Sequence, residues 1–262
     1  MSVKKDASGR RSIQVEVEVP GTPEEVWQAI ASGPGISSWF VPTQLDGRVG
    51  GTVTCSFGPG MDASSTIQEW EPPHRFKSER PIGPDAPSMA TEWIVEARAG
   101  GNCVVRVVHS FFASTDDWDD QLTGVESGWP TFFRILRLYL TKFRGEPGFF
   151  FCTNAITAKS GGWEKLTTSL DLGGAVEGRP WKSPVGVPVA TGKVHWAGEG
   201  KPSVLVQLDQ PMPGIAFLNA CPMGEQVWLT VYFYLYGSQA KTIAAREEPL
   251  WQDWTKGQFP AA

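Results

Sequence analysis

The chain has 262 residues, of which 41% are hydrophobic and 19% are charged, and its formal net charge is −5. This composition is typical of a globular protein, and an acidic chain offers no basic surface for nucleic acid. No apolar run reaches the about 18 residues of a membrane-spanning helix, and the N-terminus lacks the apolar stretch of a secretory signal. We therefore expect a soluble protein with no membrane span and no nucleic-acid partner.

The first 40 residues predict one strand and two short helices. Residues 12–19 (S-I-Q-V-E-V-E-V) alternate apolar and polar side chains, which is the period of a half-buried strand. Thr22 is a good N-cap and Pro23 suits the first position of a helix, which should stop at Gly33–Pro34. A second short helical piece is predicted to carry Ile36, Trp39 and Phe40.

Residues 41–113 show strand-length segments divided by glycine and proline turns, which favours antiparallel hairpins. After residue 115 the period changes. Apolar side chains from Trp129 to Phe143 recur at spacings of three and four, which predicts one long helix with a kink or restart near Pro130. The predicted fold class is α+β: an antiparallel sheet wrapped around a long C-terminal helix, in a domain spanning 12–145.

The remaining residues, 146–262, repeat this order in a shorter form. A strand at 148–156 precedes a short helix at 160–170, four strands and a last helix at about 238–256, broken at Pro249. The four strands are predicted at 185–196, 203–208, 214–220 and 226–236. We interpret this half as a second, degenerate copy of the first, the alternative being that its strands extend the first sheet.

Three separated segments resemble one superfamily. They are I-Q-V-E-V-E-V-P-G-T-P-E-E-V-W-Q-A-I (13–30) with the Trp39–Phe40 pair, T-I-Q-E-W-E-P-P-H-R-F (66–76), and G-W-P-T-F-F-R-I-L-R-L-Y-L within 124–140. Together they resemble the SRPBCC (START-like, polyketide cyclase-like) superfamily, and the last segment resembles its branch named after the activator of the heat-shock chaperone ATPase. The resemblance covers most of 12–145 and is much weaker over 146–262.

This resemblance implies a helix-grip fold around a cavity for an apolar or amphipathic small molecule. Members include carriers, enzymes such as cyclases, dehydratases and hydrolases, and co-chaperones, and they share no catalytic motif. Our first hypothesis is a small-molecule binding protein. The alternatives are an enzyme that uses the same cavity, and a protein-interaction module.

The aromatic residues are the best candidates for a binding site, since the chain has 12 tryptophans and 14 phenylalanines. We expect the ligand-binding or core residues of the first domain to be Trp39, Phe40, Trp70, Trp93, Trp129, Phe132, Phe133 and Leu136.

Candidates for acid–base chemistry are few. His109 shares a strand face with apolar residues and could orient a ligand or move a proton, although a histidine bonded to backbone or water is the simpler interpretation. Glu92 and Glu69 each lie beside a tryptophan and could form an acid–base pair, although polar strand positions usually face water.

We expect neither a metal nor a cofactor. The three histidines are isolated, no phosphate-binding loop is present, and the aspartates within 116–120 fit a helix N-terminus better than a calcium loop. The four cysteines, Cys55, Cys103, Cys152 and Cys221, have no paired spacing. They predict free thiols in a reducing compartment, and therefore a cytoplasmic protein.

The strand at 226–236 is apolar on both faces. Trp228, Tyr232, Tyr234 and Tyr236 share one face, and Val231, Phe233 and Leu235 share the other. One face can pack on the last helix, so the other needs a second cover. We expect this cover to be the first domain or a second chain, which makes a homodimer possible.

Overall fold

The computed structural model describes residues 3–58, 60–81, 83, 87–112, 119–198 and 202–260, apart from the side chains of 119–121 and 123–127. The chain divides into two compact units, Met1–Gly145 and Glu146–Ala262.

The N-terminal unit contains an antiparallel sheet of eight strands in the order β1-β2-β8-β7-β6-β5-β4-β3. The strands are β1 (Lys4–Lys5), β2 (Arg10–Pro20), β3 (Thr43–Leu45), β4 (Thr52–Ser56), β5 (Asp62–Glu71), β6 (Arg75–Pro81), β7 (Ser88–Arg98) and β8 (Asn102–Phe112). Apart from the pairing of β2 with β8, neighbours in the sheet are neighbours in the sequence, as the short turns predict.

Three helices complete this unit: α1 (Pro23–Ile30), α2 (Gly33–Ser37) and the long α3 (Asp119–Lys142), which packs on β2. Helix α1 begins with a capping box, in which the Thr22 hydroxyl accepts from the Glu25 amide and the Glu25 carboxylate accepts from the Thr22 amide. Trp39 and Phe40 follow α2 rather than lie within it. Helix α2 packs so closely on α1 that a Cβ on Gly35 would lie 1.9 Å from the carbonyl oxygen of Gln28.

The C-terminal unit contains a separate sheet of six strands in the order β10-β11-β12-β13-β14-β9. Its elements are β9 (Gly148–Ala158), α4 (Gly162–Ser169), β10 (Pro180–Lys182), β11 (Thr191–Ala197), β12 (Ser203–Gln210), β13 (Gly214–Met223), β14 (Gln226–Tyr236) and α5 (Ala240–Gln258). The alternative in which these strands extend the first sheet is therefore wrong.

The two units share one topology. In each, the first long strand pairs with the last one before the closing helix, β2 with β8 and β9 with β14, and the other strands follow as an antiparallel meander. The predicted α+β helix-grip fold with a shorter second copy is confirmed.

Two details of the prediction were wrong. The strand predicted at 185–196 begins only at Thr191, because Pro184 and Pro188 lack the N–H groups that a central strand donates. Helix α5 is continuous through Pro249 rather than broken there, and α3 runs through Pro130 without a restart. Both prolines are exposed, so water can bond the carbonyl group that each leaves without a helical partner.

Candidate ligand-binding cavity

A cavity of about 300 Å³ lies between the sheet of the N-terminal unit and α3. This volume is at the lower end of the range for small-molecule sites, roughly 300–1,000 Å³. The lining is mostly apolar and includes a few polar side chains. It consists of Ile36, Phe40, Val53, Cys55, Phe57, Ala63, Ser65, Phe76, Ser78, Arg80, Met89, Thr91, Trp93, His109, Gly128, Trp129 and Phe132.

Strand alternation places these side chains. On β6, Phe76, Ser78 and Arg80 are two residues apart, so they share the face that lines the cavity, while Lys77 and Glu79 point to the other face. The strand pairing then aligns Phe76 with Trp93. The cavity therefore has an aromatic level along β6, followed by a polar one.

The polar level crosses three neighbouring strands. Ser78 on β6 is directly opposite Thr91 on β7, which is directly opposite His109 on β8. Direct partners in an antiparallel pair have Cβ atoms about 4.5–5.5 Å apart, so these side chains are adjacent. Arg80 lies one level further along β6, diagonal to Thr91.

The aromatic part of the wall is centred on Trp129 of α3. Its ring centroid lies 5.3 Å from that of Phe40 in a nearly parallel arrangement and 5.1 Å from that of Trp93 in a perpendicular one. Phe132 completes the group, with its centroid 4.6 Å from that of Phe40. Contacts of this kind fix the ring orientations and present flat apolar surfaces to the cavity.

His109 is held by two side chains, and their chemistry determines its tautomer. The indole N–H of Trp129 can only donate, and it lies 2.8 Å from Nε2 of His109, so Nε2 is the acceptor. Nδ1 then carries the proton of a neutral ring and donates to the Thr91 hydroxyl oxygen at 3.1 Å. Thr91 Oγ1 is the acceptor in that bond, which leaves its own O–H free to donate into the cavity.

Burial favours this neutral form. His109 is 5% exposed. Burial, assisted by the positive charge of Arg80, lowers the pKa of His109 from 6.5 to about 3. The ring is therefore uncharged at neutral pH, and its one acceptor nitrogen is already occupied by Trp129.

Arg80 supplies the cavity with a charge. Among the described residues it forms no ion pair, although it is half-buried in the cavity wall. Its charge also acts on Cys55, whose thiol pKa is raised by burial and pulled back by a hydrogen bond from Thr43 and by Arg80. Arg80 therefore places a positively charged guanidinium group against a mostly apolar space.

Residues 20–141 match the family model described as "Activator of Hsp90 ATPase homolog 1-like protein", which is just under half of the chain. We call residues 20–141, which are similar to this family, the activator-like domain. The match confirms the resemblance found in the sequence, and the cavity lies within this activator-like domain. A comparison with curated proteins gave no match.

Several solved structures are similar to the chain. CalU16 from Micromonospora echinospora is 22% identical, with 54% of this chain and 83% of that chain covered, at a TM-score of 0.43. DynU16 from the dynemicin biosynthetic locus is 17% identical, with 94% and 98% covered, at 0.44. The di-domain ARO/CYC BexL from the BE-7585A biosynthetic pathway is 11% identical, with 96% and 99% covered, at 0.45.

The structure brings half of the eight predicted binding residues to the cavity. Those in the wall of the activator-like domain are Phe40, Trp93, Trp129 and Phe132. The other four pack around it: Trp39 donates its indole N–H to the Ala29 carbonyl, Trp70 packs on Trp27 and Phe76, and Phe133 and Leu136 are buried. His109 also lines the cavity, bonded to side chains rather than to backbone or water.

Glu92 and Glu69 are not brought together with His109. Neither lines the cavity, and both pair with the guanidinium of Arg75. Glu92 is a neighbour of Trp93 in the sequence, so alternation turns the carboxylate away from the cavity that the indole lines. Both carboxylates therefore belong to charge pairs outside the cavity.

The sequence analysis missed apolar lining residues such as Phe57, Phe76 and Met89, and every polar residue of the wall except His109. Cys55, Ser65, Ser78, Arg80 and Thr91 all line the cavity. Three of them could have been found from the sequence by their spacing. Ser78 and Arg80 lie two and four residues after Phe76, and Thr91 lies two residues before Trp93, so each shares a strand face with an aromatic residue. A polar residue two or four positions from a buried aromatic residue on the same strand is expected to point inward.

No group of three or more possible metal ligands occurs among the described residues. Asp116 and Asp117 of the acidic cluster lie outside those residues. Within the described ranges, no helix is long and apolar enough to cross a membrane.

Proposed function

We propose that the activator-like domain binds an apolar or amphipathic small molecule in the cavity between its sheet and α3. The observation that carries this proposal is the lining itself, in which apolar and aromatic side chains and a few polar groups border about 300 Å³ of space. A pocket of this kind is the usual form of a small-molecule site, because apolar area supplies affinity and sparse polar groups supply orientation.

The bonding of His109 favours binding over acid–base catalysis by the three candidate residues. A general base needs a free lone pair within reach of the substrate. The acceptor nitrogen of His109 is occupied by Trp129, and Glu92 and Glu69 are paired with Arg75 outside the cavity. In this arrangement His109 acts as a positioning group for Thr91.

A fluorescence titration tests the proposal. The neutral probe N-phenyl-1-naphthylamine, which brightens in apolar surroundings, should bind the full chain with one site per molecule. Ala63→Leu adds bulk to the cavity wall and should weaken binding at least fivefold. Thr66→Leu places the same side chain on the exposed face of the same strand and should leave binding unchanged. Equal binding by all three proteins, or no binding by the unmodified chain, would overturn the proposal.

Two further proposals concern the partners and location of the chain. A homodimer remains a proposal, although Tyr234 and Tyr236 of β14 are already buried in the single chain and need no second chain to cover them. Sedimentation velocity tests it, with a monomer at all concentrations as the contrary result. All four cysteines are free thiols, which supports a cytoplasmic location. Export of the chain with oxidised thiols would contradict this second proposal.

A further inference from the structure

The polar part of the cavity wall contains two hydrogen-bond donors, on Arg80 and Thr91, for which no described residue is an acceptor. Arg80 forms no ion pair with any described residue. Thr91 accepts the Nδ1 proton of His109, so its own hydroxyl proton has no acceptor among the described residues. Both side chains are half-buried in the cavity wall, so a ligand that enters the cavity can take the place of water as their acceptor.

These two donors lie close enough to act on one group. Arg80 is directly opposite Met89, and Ser78 is directly opposite Thr91, so Arg80 and Thr91 are diagonal neighbours on adjacent strands. Diagonal neighbours on paired strands are about 7–8 Å apart across the sheet, which a long side chain such as arginine spans. One acceptor group of the ligand can therefore bind the guanidinium and the threonine hydroxyl together.

The charge of the lining indicates which acceptor group the ligand should carry. Of the described residues that line the cavity, Arg80 alone carries a positive charge, because His109 is held neutral. One guanidinium offers a planar pair of N–H donors that matches the two oxygens of a carboxylate. A dianion such as a phosphate monoester would keep one negative charge without a partner in a mostly apolar cavity, which is costly.

The apolar part of the lining indicates the shape and polarity of the rest of the ligand. Phe76 and Trp93 stand one level from the polar row on the same strands, and Phe40 and Trp129 face them from α2's C-terminal side and from α3. Flat rings suit stacking and edge contacts with a planar apolar body.

We infer that the ligand of this cavity is an aromatic monocarboxylate, with its carboxylate bound by Arg80 and Thr91 and its ring system held among Phe40, Trp93 and Trp129. This inference rests on the proposed function, since it names the chemical class of molecule that the same cavity takes.

Calorimetric titration of the full chain with matched probes tests it. The probes are 2-naphthoate, its neutral analogue 2-naphthamide, and 2-naphthyl phosphate. We expect naphthoate to bind at least about 10-fold more tightly than naphthamide, as a charge-assisted hydrogen bond predicts. Arg80→Met should reduce this preference to less than twofold. Arg80→Lys, which keeps the charge but loses the planar fork, should retain part of it.

Arg48→Met is the matched control, because it removes the same charge from an exposed side chain that does not line the cavity. It should keep the full preference for naphthoate. Circular dichroism and the urea midpoint establish that each variant is folded, and Thr91→Val provides a second variant, in which naphthoate should lose more affinity than naphthamide.

The outcomes separate the inference from the proposed function. Equal binding of naphthoate and naphthamide, unchanged by Arg80→Met, would overturn the carboxylate inference and leave cavity binding in place. Tighter binding of naphthyl phosphate than of naphthoate would overturn the choice of carboxylate. If no probe binds, including N-phenyl-1-naphthylamine, both the inference and the proposed function are refuted.

Discussion

The neutral, buried state of His109 predicts a specific loss of stability in acid. Its pKa is lowered from 6.5 to about 3 in the folded protein, so below pH 6.5 the unfolded chain binds a proton that the folded chain does not. The stabilising contribution is therefore complete above pH 6.5 and is lost as the pH falls from 6.5 towards 3. Between pH 7.5 and pH 5 the loss amounts to about 2 kcal/mol.

This magnitude depends little on the folded-state pKa, because at pH 5 the folded imidazole is neutral for any pKa below about 4. The assay is urea unfolding followed by tryptophan fluorescence at pH 7.5 and pH 5. The free energy of unfolding of His109→Gln should change with pH by about 2 kcal/mol less than that of the unmodified chain. His74→Gln, at an exposed histidine, is the control and should behave like the unmodified chain. The same pH dependence in His109→Gln and the unmodified chain would refute the reasoning.

Three further substitutions test the local structure by urea unfolding at pH 7.5. Trp129→Phe removes the donor to Nε2 of His109 and should lower the free energy of unfolding by about 1–3 kcal/mol; no change would show that the bond does not form. Thr22→Ala removes the N-cap of α1 and should cost about 1 kcal/mol, whereas an equal or higher midpoint would contradict the capping box. Gly35→Ala places a methyl group against backbone atoms of α1 and should cost about 1–3 kcal/mol, so a neutral result would mean that the two helices are not this close.

Much of the fold could be predicted from the sequence because its signals are local. The alternation in 12–19 and the capping signals at Thr22 and Pro23 act within a few residues, and the structure has a strand and a capped helix there. The change of period after residue 115 likewise led to α3. Pro249 misled the prediction because a proline inside a helix is tolerated where the freed carbonyl faces water, and exposure is a tertiary property.

The cavity could be predicted only in part, because its polar wall depends on pairing between strands. Trp93, Trp129 and Phe132 could be chosen by residue type and spacing. Ser78, Thr91 and His109 meet only through the registers of β6 with β7 and of β7 with β8. Glu92 was an attractive candidate beside Trp93, but neighbours on a strand point to opposite faces.

The two copies differ in how side chains fill the space between the sheet and the closing helix. In the C-terminal unit, the corresponding space between sheet and closing helix contains large aromatic rings. Phe233 lies 4.6 Å from both Phe151 and Trp251, measured between ring centroids, and Trp251 is 1% exposed. In the N-terminal unit, Trp129 of the closing helix instead donates to His109 and borders a cavity. A side chain that fills the space between sheet and helix stabilises the fold through packing contacts. A side chain that borders an open cavity makes fewer such contacts and therefore contributes less packing energy. The N-terminal copy therefore keeps open space beside its closing helix, while the corresponding rings of the C-terminal copy build a packed core.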